Sequence, residues 1–197
     1  VPKEYKSSDI VMLGNLVPDI QNQVLDQLTT KPKLVVLDTM NFWIDVALES
    51  LKNVLKRVDL LTINDEEAKM LSGENNLLTA AKAVMKMGPK YLVIKKGEHG
   101  AMLFHEDVIF FLPALPLDVV LDPTGAGDTF AGGLVGYLDK TQDFSFENIK
   151  RAVVYGSTMA SFCVQDFSTS KLKNIDQAEI AKRAKEFQAL TAFTLID

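Results

Sequence analysis

The sequence predicts an α/β fold built on a mostly parallel sheet. Short apolar runs typical of buried strands alternate with segments of helical periodicity along almost the whole chain. The run at residues 33–38 is apolar without interruption, as in strands that are covered on both faces. Turns rich in glycine, asparagine or aspartate follow several strands, and ligands of such sheets bind beyond the carboxyl ends of the strands.

The order of predicted elements contains repeated strand–helix units, which need crossover connections and therefore favour a parallel sheet. The predicted strands cover residues 9–14, 33–38, 58–63 and 91–95, then a hairpin at 101–104 and 108–112, and an extended segment at 118–121. The predicted helices cover residues 18–28, 46–56, 65–71, 76–87, 127–138, 145–164 and 176–190. No repeat or linker interrupts this order, so residues 1–197 are predicted to form a single α/β domain.

Composition and charge exclude several classes of function. The chain is 47% hydrophobic and 24% charged, with a formal net charge of −5 and its charged residues dispersed. This acidic balance argues against a nucleic-acid partner, which usually requires a basic patch. No apolar run reaches the length of a membrane-spanning helix. Cys163 is the single cysteine, so no intrachain disulfide can form, and a reducing, cytoplasmic compartment is the simplest interpretation.

A glycine-rich turn at residues 121–133 carries the strongest chemical signal. Gly125 and Gly127 allow a tight turn and a close approach of the backbone to a ligand. The exposed N–H groups of a helix start, together with the helix dipole, would bind an anion there. Asp128 is unexpected beside an anion, but a carboxylate can accept a proton from a hydroxyl that attacks a phosphoryl group. The alternative interpretation is that Asp128 caps the helix.

Residues 122–133, Asp-Pro-Thr-Gly-Ala-Gly-Asp-Thr-Phe-Ala-Gly-Gly, resemble the C-terminal signature of ribokinase-like (PfkB-type) carbohydrate and nucleoside kinases. The resemblance implies that Gly125, Ala126 and Gly127 form an anion hole for phosphate and that Asp128 is the catalytic base. It also implies a role in binding for Asp122 and Thr124, which lie where many relatives hold a stimulating monovalent cation such as K⁺.

The same resemblance implies a fold, a three-layer αβα sandwich of the ribokinase type with a mostly parallel central sheet. Family members carry a further N-terminal region with a Gly-Gly substrate motif and a β lid, which is absent from this sequence. The chain is therefore expected to be the C-terminal nucleotide-binding and catalytic portion of a longer kinase. Relatives often dimerise through the lid, so a homodimer is an open expectation.

The segment Asn64-Asp65-Glu66-Glu67 follows the third strand and supports two interpretations. Asn64 and Glu67 have the spacing of a capping box for the next helix. The segment also resembles the family's Asn-x-x-Glu motif, which implies that Asn64 contributes to cofactor binding and that Glu67 holds Mg²⁺ through water. Mg²⁺ usually keeps several waters and takes few protein ligands, so both interpretations can hold together.

Two weaker segments resemble the family's nucleotide-side elements. In residues 94–101, Gly97 and Gly100 would allow close approach of ATP, and Lys95 would neutralise phosphate; the alternative is a hairpin turn with solvated charges. In residues 38–41, Asn41 is a further candidate near the phosphates, although such residues are common turn formers after strands. Phe42 and Trp43 are predicted to be packing residues rather than a platform for a base.

Other nucleotide and hydrolytic sites are excluded by the sequence. No P-loop motif or Gly-x-Ser-x-Gly nucleophile elbow occurs, and two histidines with one cysteine form no zinc constellation. A dinucleotide fingerprint is the nearest rival at the glycine-rich turn. It fails because Phe130 occupies the third glycine position and the acidic Glu147 falls at a helix start.

The sequence therefore predicts an ATP-dependent and Mg²⁺-dependent kinase that transfers the γ-phosphoryl group to a hydroxyl of a small sugar or nucleoside. Asp128 would be the general base. The alternatives are an adenosine-type nucleoside kinase of the same family, a non-catalytic nucleotide-binding domain, and an oxidoreductase that uses the turn for a dinucleotide.

Overall fold

The computed structural model describes residues 1–195, and this part of the chain divides into two compact units. The first unit comprises Val1–Lys95 and Leu103–Ile109, and the second comprises Lys96–Met102 and the chain from Phe110 onward. The strands are β1 (Ile10–Leu13), β2 (Leu34–Asp38), β3 (Leu60–Asn64), β4 (Tyr91–Lys95), β5 (Ala101–His105) and β6 (Val108–Leu112). The helices are α1 (Pro18–Asp26), α2 (Asn41–Val46), α3 (Leu48–Leu55), α4 (Asp65–Ser72), α5 (Leu77–Met85), α6 (Ala126–Thr141), α7 (Phe146–Cys163) and α8 (Gln177–Thr191).

The six strands form one sheet in the order β1-β2-β3-β4-β5-β6. The pairs β1–β2, β2–β3 and β3–β4 are parallel, and a helix-containing crossover joins each of them. Only two residues connect β5 to β6, a length that permits an antiparallel hairpin but no parallel crossover. The prediction of an α/β fold with a mostly parallel sheet is confirmed.

The core of the first unit lies against the parallel strands. Leu61 of β3 pairs in register with Leu37 of β2 and Leu92 of β4, and all three are fully buried. Each buried leucine contributes about 1.5–3 kcal/mol by leaving water. The apolar faces of α3 and α5 add the buried side chains of Leu51, Val54, Leu55, Ala80, Ala81 and Val84. This uninterrupted packing holds the carboxyl ends of the strands in fixed positions.

The second unit is built on the close packing of α6 and α7. Gly156 of α7 permits this approach, because a Cβ atom there would lie 2.8 Å from the carbonyl oxygen of Phe130 in α6. The rings of Tyr137 and Tyr155 stack across the same helix pair with centroids 4.3 Å apart. These contacts hold α6, the helix that begins within the glycine-rich turn, against α7.

Two local predictions are wrong. Residues 118–121 form no strand, and Val119, Val120 and Leu121 are exposed, so α6 follows an irregular segment. Residues 41–46 form the short helix α2, which the sequence did not indicate. Phe42 is 51% exposed on that helix and is not a core residue, although its ring packs edge to face against Trp43 with centroids 4.8 Å apart.

Candidate active site

The predicted site residues lie in both units. The first unit contains Asp38, Asn41, Asn64, Glu67 and Lys95. The second contains Gly97, Gly100 and the glycine-rich turn with Asp122, Thr124, Gly125, Ala126, Gly127 and Asp128. Each unit therefore presents its own polar cluster.

In the first unit, three neighbouring parallel strands end on polar residues. β2 ends at Asp38, β3 at Asn64 and β4 at Lys95. Asn64 and Lys95 are partners in the β3–β4 register. Because the strands are parallel, these side chains share the edge of the sheet at which α/β proteins bind ligands.

Asn64 and Glu67 form the predicted capping box at the start of α4. The Asn64 side chain accepts from the Glu67 N–H at 2.7 Å, and the Glu67 carboxylate accepts from the Asn64 N–H at 2.7 Å. Two N–H groups that the first helical turn leaves unpaired are thereby satisfied. The box also fixes Glu67, which is only 7% exposed, at the carboxyl end of β3.

Burial raises the pKa of Glu67 above its ordinary value, because the carboxylate is partly withdrawn from water. The N–H groups of Asn64 and Asn41 and the positive charge of Lys95 act in the opposite direction. The nearby negative charge of Asp38 adds to the rise. Glu67 is thus electrostatically linked to the ends of all three strands.

Lys95 is paired with Asp38 rather than solvated. Its Nζ lies 3.1 Å from Oδ1 and 3.4 Å from Oδ2 of Asp38, and the two side chains are only 19% and 9% exposed. The alternative of a solvated strand-end lysine is therefore wrong. The sequence did contain a sign of this pair, because β2 ends in an aspartate and β4 ends in a lysine, whereas the residues before them are largely apolar.

The donor atoms at this edge suit Mg²⁺, which prefers oxygen ligands. Besides the carboxylates of Asp38 and Glu67, the buried Thr39 hydroxyl has no hydrogen-bond partner among the described residues. Within residues 1–195, no group of three or more His, Cys, Asp or Glu side chains could enclose a metal. A bound Mg²⁺ would therefore take one or two protein ligands and complete its shell with water or phosphate.

In the second unit, the glycine-rich turn is held by its own polar groups. The Asp122 carboxylate accepts from the Thr124 N–H at 2.9 Å. Hydrogen bonding to the Thr124 side chain and backbone lowers the pKa of Asp122, because these bonds favour the charged form. Gly125 then adopts a left-handed conformation with φ of 78° and forms the N-cap of α6. This conformation is the reason for a glycine at that position.

The first turn of α6 offers donors to an anion. The Ala126 N–H donates to the Pro123 carbonyl at 3.1 Å, whereas the N–H groups of Gly127 and Asp128 have no recorded acceptor within the described chain. α6 is 16 residues long, so its dipole places partial positive charge at this end. Two of these donors therefore point to an anion site, with the Ala126 amide already engaged.

Asp128 does not cap α6. Gly125 is the N-cap and the helix has no side-chain capping bond, while Asp128 lies on the first turn with its side chain exposed. The alternative that Asp128 is only a helix cap is therefore wrong. The negative charge of Asp128 is favoured at this end of α6 by the helix dipole, and its exposed carboxylate is open to a ligand.

The C-terminal end of α7 anchors the turn. The Val164 carbonyl accepts from the Leu121 N–H at 2.8 Å, and the buried Cys163 thiol lies 3.7 Å from the Thr124 carbonyl. Cys163 is a buried residue of the core. Its contact with the turn was not predicted, because the two residues are 39 positions apart in the sequence.

The two glycines of the 97–100 turn differ in their surroundings. Gly97 has φ of 54° and open space where a Cβ would lie, so a ligand can approach it. Gly100 has φ of 96°, and a Cβ there would lie 2.0 Å from the Leu112 carbonyl oxygen. Packing against the end of β6 therefore explains why residue 100 is a glycine, whereas the space beside Gly97 is open to a ligand.

Fold and site together define an α/β protein of the ribokinase fold, in which the start of α6 combines N–H groups that lack acceptors among the described residues with an exposed carboxylate on the first turn. The chain belongs to the pfkB family of carbohydrate kinases, which matches residues 4–176. The predicted family is thereby confirmed.

Curated relatives include both nucleoside and sugar kinases. The chain is 32% identical over 143 residues to a cytidine kinase of Thermococcus kodakarensis, a match that covers 70% of this chain and 50% of the relative. It is 30% identical over 117 residues to a ribokinase of Staphylococcus aureus, covering 57% of this chain and 37% of the relative. The chain thus spans half or less of the length of these relatives.

Solved structures share the ribokinase fold at low sequence identity. A fructokinase of Vibrio cholerae O395, crystallised with fructose, ADP and calcium, has a TM-score of 0.79 at 18% identity and covers 93% of this chain and 63% of its own. A nucleoside kinase of Methanocaldococcus jannaschii has a TM-score of 0.72 at 21% identity, covering 90% of this chain and 56% of its own. The predicted fold is confirmed. No helix within residues 1–195 combines the length and apolar character needed to cross a membrane.

Proposed function

We propose that the protein is an ATP-dependent phosphotransferase that phosphorylates a hydroxyl of a small sugar or nucleoside, with Asp128 as the general base. The observation that carries the proposal is the start of α6. There the N–H groups of Gly127 and Asp128 have no acceptor within the described residues, and the exposed Asp128 carboxylate lies on the same turn. When a hydroxyl attacks a phosphoryl group, a base must accept the hydroxyl proton and N–H donors must stabilise the developing negative charge.

In the proposed reaction, Asp128 accepts the proton of the attacking hydroxyl. The oxygen of that hydroxyl forms the new bond to the γ-phosphorus of ATP as the bond to the leaving ADP oxygen breaks. The amides at the start of α6 stabilise the charge on the transferred group, and Gly125 aims them by turning the chain sharply.

Mg²⁺ would be held at the other cluster, with Glu67 acting through water and Asn64 fixing Glu67 through the capping box. When bound, the ion neutralises charge on the phosphates. Gly97 would face the nucleotide, since the space where its Cβ would lie is open. Asp122 and Thr124 remain the proposed residues for a monovalent cation such as K⁺.

Both acceptor classes remain part of the proposal, because the relatives include a cytidine kinase and a ribokinase. ATP is the proposed phosphoryl donor. A cytoplasmic location is part of the same proposal. A homodimer is a further expectation that size measurements in solution would test. The second candidate function is a nucleotide-binding domain without catalysis, because the chain spans half or less of these two relatives.

The test is ADP release measured by a coupled assay with Mg-ATP against a panel of sugars and nucleosides. One acceptor should give a substrate-dependent rate, and Asp128→Asn should lower kcat by roughly 10²–10⁴-fold, the range for loss of a general base. The KM for ATP should change little, because the amides of α6 remain. Asp139→Asn is the matched control, since Asp139 is an exposed aspartate near the other end of the same helix.

Wild-type turnover in Asp128→Asn would remove Asp128 as the base. Absence of a rate with every acceptor, together with measurable ATP binding, would instead support the non-catalytic function.

A further inference from the structure

The ion pair between Asp38 and Lys95 occupies an unusual place in the sheet. β2 and β4 are not neighbours, because β3 lies between them. The pair therefore reaches across the carboxyl end of β3, where Asn64 ends the strand and begins the capping box with Glu67. Side chains from the two flanking strands thus meet above the residue that positions Glu67.

Both members of the pair are too buried to be left unpaired. Asp38 is 9% exposed at its side chain and Lys95 is 19% exposed. Removing one member of a buried pair is strongly destabilising, because it leaves the other charge without compensation in a poorly solvated site. If Lys95 left Asp38 to meet a phosphate, the Asp38 carboxylate would lose its partner in the same poorly solvated site.

The register of the strands places this pair beside the residue that anchors Glu67. Lys95 is the β4 partner of Asn64, and Asp38 is the β2 partner of Thr62, two residues before Asn64. The Asn64 N–H donates to the buried Glu67 carboxylate at 2.7 Å. The ion pair therefore joins the strands on both sides of the residue from which Glu67 is positioned.

We propose that Asp38 and Lys95 form a positioning pair that holds Glu67 in place, and that Lys95 does not bind the nucleotide. This inference rests on the proposed function for its effect on catalysis, and it departs from the expectation that Lys95 neutralises phosphate. Lys95 acts through Glu67, so its loss should impair turnover more than ATP affinity.

The experiment compares Lys95→Met, Asp38→Asn and the double variant in the enzyme, with ATP affinity measured by calorimetry at fixed Mg²⁺. Lys95→Met should lower kcat by about 10²-fold, the effect of ångström-scale misplacement of a catalytic group. Its ATP dissociation constant should stay within about twofold of wild type. The double variant should regain at least about tenfold of the lost kcat, because no carboxylate is then left unpaired at position 38.

The matched control is Lys90→Met. Lys90 directly precedes the same strand, is 72% exposed, and lies 3.8 Å from Asp59 in a surface pair, so its loss should change neither kcat nor ATP affinity. An ATP affinity weakened about tenfold or more in both Lys95→Met and the double variant would overturn the inference, since Lys95 would then be a nucleotide ligand. A double variant that recovers nothing would overturn it as well.

Two further measurements cover the cases in which Lys95→Met does not fold or the wild type is inactive. If Lys95→Met does not fold, Lys95→Arg replaces it; this change keeps the cation and can contact both carboxylate oxygens, so ATP affinity and most of kcat should be retained. A loss of ATP affinity in Lys95→Arg would count against the inference. If the wild type transfers no phosphoryl group, the proposed function fails by itself, and ATP affinity alone then decides whether Lys95 binds nucleotide.

Discussion

At the residue scale, different physical causes explain the two glycines of the turn between β4 and β5. Gly97 adopts a positive φ of 54° with open space around it, whereas Gly100 approaches the Leu112 backbone closely. An alanine at Gly97 would meet only the strain of a left-handed conformation, about 1–2 kcal/mol. An alanine at Gly100 would add a backbone clash that no side-chain rotation relieves.

We therefore expect Gly100→Ala to lower the free energy of unfolding by clearly more than Gly97→Ala, by roughly 3 kcal/mol or more against about 1–2 kcal/mol. Gly97→Ala should instead weaken ATP affinity in the folded protein, because its new methyl group enters the open space. Urea unfolding and calorimetry measure the two effects. Equal destabilisation by the two variants would contradict the assigned packing role of Gly100.

Tyr91 gives a residue-scale prediction about pH. Burial raises the pKa of its phenol, and the negative charges of Glu106 and Asp59 add to the rise. The folded state therefore favours the neutral phenol, so this contribution to stability is complete below the unfolded pKa of about 10 and is lost as pH rises above it.

Tyr91→Phe should make the free energy of unfolding less dependent on pH above about 10. The measurement is urea unfolding at several alkaline pH values. The control is the same substitution at Tyr5, which is 61% exposed. An unchanged alkaline slope in Tyr91→Phe would show that the phenol titrates alike in both states.

At the scale of elements, two helices begin with the same device in different surroundings. α4 has the capping box of Asn64 and Glu67, and α8 has that of Asp176 and Glu179. Loss of an N-cap side chain costs about 1 kcal/mol in either helix. Only the α4 box holds a residue proposed for Mg²⁺.

Asn64→Ala and Asp176→Ala should therefore lower Tm by a similar amount, roughly 2–4 °C. Only Asn64→Ala should raise the Mg²⁺ concentration needed for half-maximal turnover, since Glu67 loses its partner. Differential scanning calorimetry and Mg²⁺ titrations of the rate measure the two properties. If both variants needed the same Mg²⁺ concentration for half-maximal turnover, the Asn64–Glu67 motif would act only as a helix cap.

Element boundaries were predictable where local signals agreed. The apolar periodicity and the capping residues predicted α4, α5, α7 and α8 to within about two residues of their observed ends. α2 was missed because Met40 gives it no side-chain cap and because Asp38 and Asn41 suggested a turn. Residues 118–121 were predicted as extended from their apolar character, but strands need partners, and exposed apolar residues alone do not provide them.

At the scale of the whole molecule, the sequence indicated the candidate segments but not which of their charged side chains pair. The glycine-rich turn and the Asn-x-x-Glu segment are local in sequence, so residue patterns could identify them. Asp38 and Lys95 are 57 positions apart, and only the parallel order of β2, β3 and β4 brings them together. Topology, rather than residue type, therefore determines which charges pair.

The last prediction concerns ligand-linked stability of the whole protein. Phe130, which occupies the third glycine position of the dinucleotide fingerprint, is buried, and its carbonyl oxygen lies close to Gly156. A buried phenylalanine therefore replaces the glycine with which the fingerprint permits close helix–strand packing. Mg-ATP at about 100 times its dissociation constant should raise the free energy of unfolding by about 2.7 kcal/mol and Tm by roughly 5–10 °C.

NADH at the same concentration should leave Tm unchanged, and Asp128→Asn should retain the shift with Mg-ATP because the carboxylate is proposed for chemistry rather than binding. Differential scanning fluorimetry measures all three cases. A shift with NADH equal to that with Mg-ATP would favour the dinucleotide alternative. Loss of the Mg-ATP shift in Asp128→Asn would instead assign the aspartate to nucleotide binding, because a general base that acts only in the transition state contributes little to ground-state affinity.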